Sequence, residues 1–84
     1  MKIIMEKIAL VTGSSSGIGL ETSLALARDG FYTFATMRDI GKGEKIKECI
    51  KKEDLNIEIL ELDVDDEESV NKTIKTILEK KDRI

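Results

Sequence analysis

The chain contains no histidine, no proline and no tryptophan, and it has a single cysteine, Cys49. Without histidine the usual serine or cysteine hydrolase relay has no imidazole, and the commonest zinc ligand is missing. One cysteine excludes an internal disulfide. No apolar run approaches the length of a membrane span. The stretch Met1 to Lys7 is too short for a signal peptide and is interrupted by Lys2 and Glu6. A cytoplasmic protein with no membrane partner is the expectation. Net charge is −3, which offers no basic face for nucleic acid. What is present is 40 % hydrophobic and 37 % charged residues over 84 positions, enough for one small domain with a thin stability margin. The apolar residues fall into periodic runs, as in a folded chain and not a disordered one.

The first run, Ile8 to Thr12, is apolar on both faces and predicts a strand buried in a parallel sheet. Gly13 to Gly17 is a loop. A helix is predicted from Gly17 to Asp29, with Leu20, Leu24 and Ala27 at helical spacing and Gly30 as its stop. Phe31 to Met37 reads as a second strand, Asp39 to Gly43 as a turn, and Glu44 to Lys52 as a second helix burying Ile46, Cys49 and Ile50. On that face Cys49 reads as a buried, inert thiol. Ile57 to Leu62 is a third strand. The acidic run Asp65-Asp66-Glu67-Glu68 opens a third helix, with Asp65 and Glu68 as a capping box and Val70, Ile74 and Ile77 as the buried stripe. The run does not suit a calcium loop, which needs glycine where Glu68 stands. Asp82 to Ile84 should leave the helix. The order β-α-β-α-β-α calls for an α/β fold with a parallel sheet and right-handed crossovers.

The chemistry is concentrated in Thr12-Gly13-Ser14-Ser15-Ser16-Gly17-Ile18-Gly19, set between a strand and a helix. Gly13 permits a tight turn, Gly17 lets backbone amides approach a phosphate, and Gly19 lets the helix sit close to the sheet. A diphosphate would then meet the free N–H groups and positive dipole end of the helix. A Walker loop is excluded, because Gly17 is followed by Ile18 and not by lysine. The spacing Thr-Gly-x-x-x-Gly-x-Gly resembles the signature of the short-chain dehydrogenase/reductase family, and the resemblance runs from Lys7 to Ile84. It implies that Gly13, Ser15, Ser16, Ile18 and Gly19 line the cofactor diphosphate, with Gly17 making room. It also implies a partial Rossmann-like sheet of three parallel strands in order 3-2-1 with three helices, residues 1–84 forming one incomplete domain.

In many dinucleotide folds an acid about 20 residues past the loop binds the ribose hydroxyls. Met37 falls where the family's NAD-type members carry aspartate, and Arg38 follows it. Arginine pairs with a 2′-phosphate through two hydrogen bonds, which favours NADP(H) over NAD(H). The other reading makes Arg38 a solvated turn residue and gives the ribose to Asp39. The second basic residue frequent in NADP-type members is Ser16 here. The resemblance further implies that Asp63 accepts a hydrogen bond from the adenine amino group and that the Val64 backbone touches the ring.

The family's catalytic tyrosine stands four residues before a lysine. The only tyrosine here is Tyr32, and Thr36 lies four residues on. No catalytic residue and no metal ligand is therefore assigned. The chain reads as the NADP(H)-binding part of an oxidoreductase, without activity of its own. The alternative is a stand-alone nucleotide-binding or assembly module. In the order 3-2-1 the first strand would be an open edge, so a homo-oligomer formed through that strand is expected.

Overall fold

The computed structural model describes residues 2–5 and 7–81. The element order is β1 (Lys2–Met5), β2 (Ile8–Val11), α1 (Gly17–Arg28), β3 (Tyr32–Met37), a 3₁₀ turn (Ile40–Lys42), α2 (Glu44–Glu53), β4 (Ile57–Glu61) and α3 (Glu67–Lys81). The sheet runs β1-β2-β3-β4. β2, β3 and β4 are parallel, with Leu10 opposite Phe34 and Ala35 opposite Ile59. This is the α/β, Rossmann-like arrangement expected from the sequence, with the predicted strands 1, 2 and 3 now numbered β2, β3 and β4.

The fourth strand corrects the expectation of an open edge. β1 pairs antiparallel with β2, from Lys2 opposite Val11 to Met5 opposite Ile8. β1 takes up backbone groups on the outer edge of β2. The first parallel strand is thus covered within the chain, and the open edge proposed for oligomerisation is absent among the described residues.

Strand alternation divides the core between the two faces of the sheet. Ala35 and Met37 of β3 meet Leu20 and Leu24 of α1 and Ile46 of α2, with Cys49, Ile57 and Ile59 packed around them. Phe34 points the other way and meets Ile8 and Leu10 of β2 and Ile77 of α3. Two crossovers stepping in one direction along the sheet, β2 to β3 to β4, place both helices on one face if both are right-handed. α3 lies on the opposite face and reaches back over β2 through Ile77. The C-terminal ends of β2, β3 and β4 lie along one rim, and in open α/β sheets ligands bind outside the carboxyl ends of the strands.

The helix ends follow local chemistry. After α1 the Gly30 N–H donates to the Ala27 carbonyl and the Phe31 N–H to that of Leu26, a Schellman closure at 3.1 and 3.0 Å. α2 closes with Asp54 in the left-handed region (φ 54°) and the Leu55 N–H on the Ile50 carbonyl at 3.2 Å. Arg28 and Glu53 tie these two helix ends with a bidentate ion pair at 2.8 and 2.7 Å. The hydrogen bond from Arg28 holds the Glu53 carboxyl below its usual range.

Two expectations for α3 need correction. The cap is Asp66, whose Oδ1 accepts from the Glu68 N–H at 3.0 Å and the Ser69 N–H at 3.5 Å. Asp65 is taken up in a preceding turn, its N–H donating to Asp63 Oδ1 at 3.0 Å. The buried stripe is Thr73 and Ile77, each 6 % exposed, whereas Ile74 is exposed. Thr73 can be buried because its hydroxyl donates to the Glu61 carbonyl at 3.1 Å. A stripe counted from apolar residues alone misses this position. The expectation that Asp82 to Ile84 leaves the helix lies outside the described residues.

Two outcomes follow for stability. Asp54→Gly should raise the free energy of unfolding by about 0.5–1 kcal/mol, read by urea denaturation, because glycine enters the left-handed region without a Cβ penalty. Deleting residues 1–5 should expose the β2 edge and make sedimentation concentration-dependent at micromolar protein.

Candidate functional site

β2, β3 and β4 all point their C-terminal ends at one rim of the sheet, and the loops after them carry every candidate residue. The loop after β2 contains two glycines with positive φ, Gly13 at 64° and Gly17 at 59°. These left-handed steps turn the chain off the strand and into α1 within a few residues. Gly19 serves a different purpose. A Cβ there would sit 2.1 Å from the Gly13 carbonyl oxygen and 2.9 Å from that of Thr12. The first turn of α1 lies against the end of β2 with no room for a side chain.

That contact leaves the start of α1 facing the rim. Its N-cap residue, Ser16, makes no side-chain cap bond, and its first turn holds no acid. α3 is the opposite case, capped by the Asp66 carboxylate with Glu67 and Glu68 in its first turn. The first amides of an α-helix have no intrahelical partner, and an anion is the natural guest where no side chain supplies one. Ser15 is half-buried, while Ser16, Gly17 and Ile18 are exposed. Ile18 shows 85 % of its surface to solvent beside these amides.

Arg38 follows β3 on the same rim. Its guanidinium is largely exposed and forms one loose contact, Nε to Asp63 Oδ2 at 3.5 Å. Asp39 is occupied locally: its Oδ1 accepts from the Gly41 N–H at 2.9 Å and opens the 3₁₀ turn. Asp63, after β4, holds the Asp65 N–H with one oxygen and faces Arg38 with the other. Val64 beside it is exposed. A cleft of about 470 Å³ opens here, walled by Arg38, Asp63, Ser69, Lys72 and Thr73. Asp66, Glu68 and Glu61 also border it, so carboxylates outnumber cations around it. Tyr32 is half-buried at the N-terminal end of β3, its ring 5.3 Å from that of Phe34, away from this rim.

The structure thus brings Gly13, Ser15, Ser16, Gly17, Ile18, Gly19, Arg38, Asp63 and Val64 onto the loops of one rim. It also reveals residues that reading the motif passes over. Ser14, Ser23 and Thr36 are fully buried beneath the loop. The Ser14 N–H donates to the Thr36 carbonyl at 2.9 Å. The hydroxyls of Ser14 and Thr36 both donate to the Val11 carbonyl, at 3.0 and 2.8 Å. A hydroxyl in an apolar central strand, as at Thr36, is the signal that could have flagged this network, since a buried hydroxyl requires a partner.

Comparison with known proteins agrees with this geometry. A family model described as short chain dehydrogenase matches residues 7–84. The chain is 45 % identical over 75 residues to the short-chain dehydrogenase/reductase prx1 of Penicillium rubens, covering 89 % of this chain and 22 % of that protein. It superposes on the crystal structure of gox2181 with a TM-score of 0.81 at 27 % identity, covering 92 % of this chain and 30 % of that one. An alcohol dehydrogenase from the archaeon Thermococcus sibiricus, complexed with 5-hydroxy-NADP, gives a TM-score of 0.76 at 36 % identity, covering 87 % and 32 %. The chain spans about a fifth to a third of the length of these proteins.

The loop geometry separates two glycine substitutions. Gly17→Ala adds a Cβ in open space and meets only left-handed strain, about 1–2 kcal/mol. Gly19→Ala drives a Cβ into backbone and should cost more, about 2–4 kcal/mol, because α1 must move off β2. Chemical denaturation of the two variants should rank them in that order.

Proposed function

The chain belongs to the short-chain dehydrogenase family, and from that premise we propose that it is the NADP(H)-binding portion of an oxidoreductase of this class. The observation that carries the reading is the start of α1 without a side-chain cap, held against the end of β2 by Gly19. Residues Gly13 to Gly19 would receive the diphosphate on backbone amides, with Ile18 covered by the bound ligand. Asp63 would accept from the adenine amino group, and Val64 would lie against the ring. Arg38, exposed and only loosely held by Asp63, would turn to the 2′-phosphate. Asp39 is spent on its own turn, which supports giving this role to its neighbour.

The residues of the rim bind and orient, and this reading assigns none of them a catalytic role. Hydride transfer is supplied by the nicotinamide when bound, and the 84-residue chain alone should show no turnover. We place the protein in the cytoplasm, where the free thiol of Cys49 stays reduced. Among the described residues no helix is long and apolar enough to cross a membrane. Association of copies through β2 would require β1 to leave that edge.

A second reading, NAD(H) in place of NADP(H), is favoured by one observation: the excess of carboxylates around the Arg38 cleft. A stand-alone binding module without an enzymatic partner would present the same rim.

Calorimetric titration with NADPH and with NADH distinguishes these readings. NADPH should bind more tightly. Arg38→Ala should weaken NADPH by about 10- to 100-fold, the worth of charge-assisted hydrogen bonds, and leave NADH unchanged. Tighter binding of NADH would favour the second reading. Binding of neither would mean that these residues do not form a working site by themselves.

A further inference from the structure

We infer that Ser14 and Ser23 are positioning residues for the phosphate loop, joined in a buried hydroxyl chain that ties the loop's beginning to its end. The inference rests on the dinucleotide-binding reading above. Ser14 occupies a free position of the glycine signature, and Ser23 lies outside it, on the second turn of α1.

The exposed stretch Ser16-Gly17-Ile18 has no core contact of its own and is held through its two ends. The first end is Ser14, fixed to β3 by its N–H on the Thr36 carbonyl and to β2 by its hydroxyl on the Val11 carbonyl. The second end is Gly19. Ser23 lies within reach of both: its Oγ is 3.1 Å from Ser14 Oγ and 2.9 Å from the Gly19 carbonyl oxygen. A hydroxyl has one proton, so Ser23 donates to one of these acceptors at a time. Donation to Ser14 ties α1 to the start of the loop, whereas donation to the Gly19 carbonyl stays within the helix. Ser14, Ser23 and Thr36, which share this network, are all inaccessible to water.

The bookkeeping of partners separates positioning from bulk stability. Removing the Ser23 hydroxyl leaves Ser14 still bonded to Val11. Removing the Ser14 hydroxyl leaves Val11 its bond from Thr36 and Ser23 its bond to Gly19. Neither truncation strands a buried polar group, so neither carries the full desolvation penalty. What is lost is the link between the two ends of the loop. Amides that must converge on a diphosphate then have to be ordered by the ligand, at a cost in affinity.

The test uses the full chain, Ser14→Ala, Ser23→Ala and the double variant. Affinity is measured for NADPH and for adenosine 2′-monophosphate, which has the adenosine and the 2′-phosphate but no diphosphate. Amide hydrogen exchange is followed at residues 15–19. In each single variant NADPH affinity should fall about three- to tenfold, the scale of one neutral hydrogen bond, with the monophosphate unchanged. Exchange should quicken at residues 15–19 and stay constant in β2 and β3. Wild-type values of NADPH affinity and loop exchange in the variants would overturn the inference. So would a fall in both ligands with faster exchange throughout the sheet, which marks a merely structural role. If NADH is the tighter ligand, NADH and adenosine replace the two probes. If the wild type binds no dinucleotide, the functional reading fails, and loop exchange alone decides the positioning: quickened it stands, unchanged it falls.

Discussion

The contact between the first turn of α1 and the end of β2 is the constraint on which the rest depends. Gly19 sits so close to the Gly13 and Thr12 carbonyls that any Cβ would overlap backbone. Because the helix starts there, the chain must leave β2 and enter α1 within a short loop, which requires the positive φ angles of Gly13 and Gly17. Because the loop is short and turned outward, Ser16, Gly17 and Ile18 lie at the surface, with the first helical amides beside them. The buried hydroxyls of Ser14, Ser23 and Thr36 lie beneath the same contact and bond to the Val11 and Gly19 carbonyls.

The sheet supplies the second constraint. β2 is buried on both faces, which calls for helices above and below. α1 and α2 cover one face, and α3 alone lies on the other. The parallel order of β2, β3 and β4 puts their carboxyl ends along one rim, the side on which open α/β sheets bind ligands. It also explains the ion pair of Arg38 with Asp63. Two residues distant in sequence come from the ends of adjacent strands, so their side chains share one corner of the rim.

The comparisons give family and fold together, from residue 7 to the end of the chain. They do so over about a fifth to a third of the relatives' length. Within that span lie the glycine loop after β2 and the ends of β3 and β4. The similar alcohol dehydrogenase complexed with 5-hydroxy-NADP superposes on this chain with a TM-score of 0.76. Whether Arg38 answers a 2′-phosphate depends on how firmly Asp63 and the neighbouring carboxylates hold it, and at 3.5 Å that hold is loose.

Local rules were enough to read the strands, the helices and the glycine loop, because burial on both faces, helical spacing and the demands of a tight turn act over a few residues. They also located Arg38, Asp63 and Val64 on strand ends. What they missed shares one physical cause: it depends on which of several available partners a group meets once the chain has folded. The hairpin of β1 on β2 depends on which neighbour reaches an edge first, so the first parallel strand looked open when it was not. The cap of α3 fell on Asp66 because Asp63, from the strand before, had already engaged Asp65. Thr73 could take a buried place because the Glu61 carbonyl was there to receive its hydroxyl. The sequence by itself determined the order of elements and the loop that faces a phosphate. Only the tertiary structure decided which hydroxyls hold that loop, because Ser14, Ser23 and Thr36 find one another only after the sheet and α1 have met.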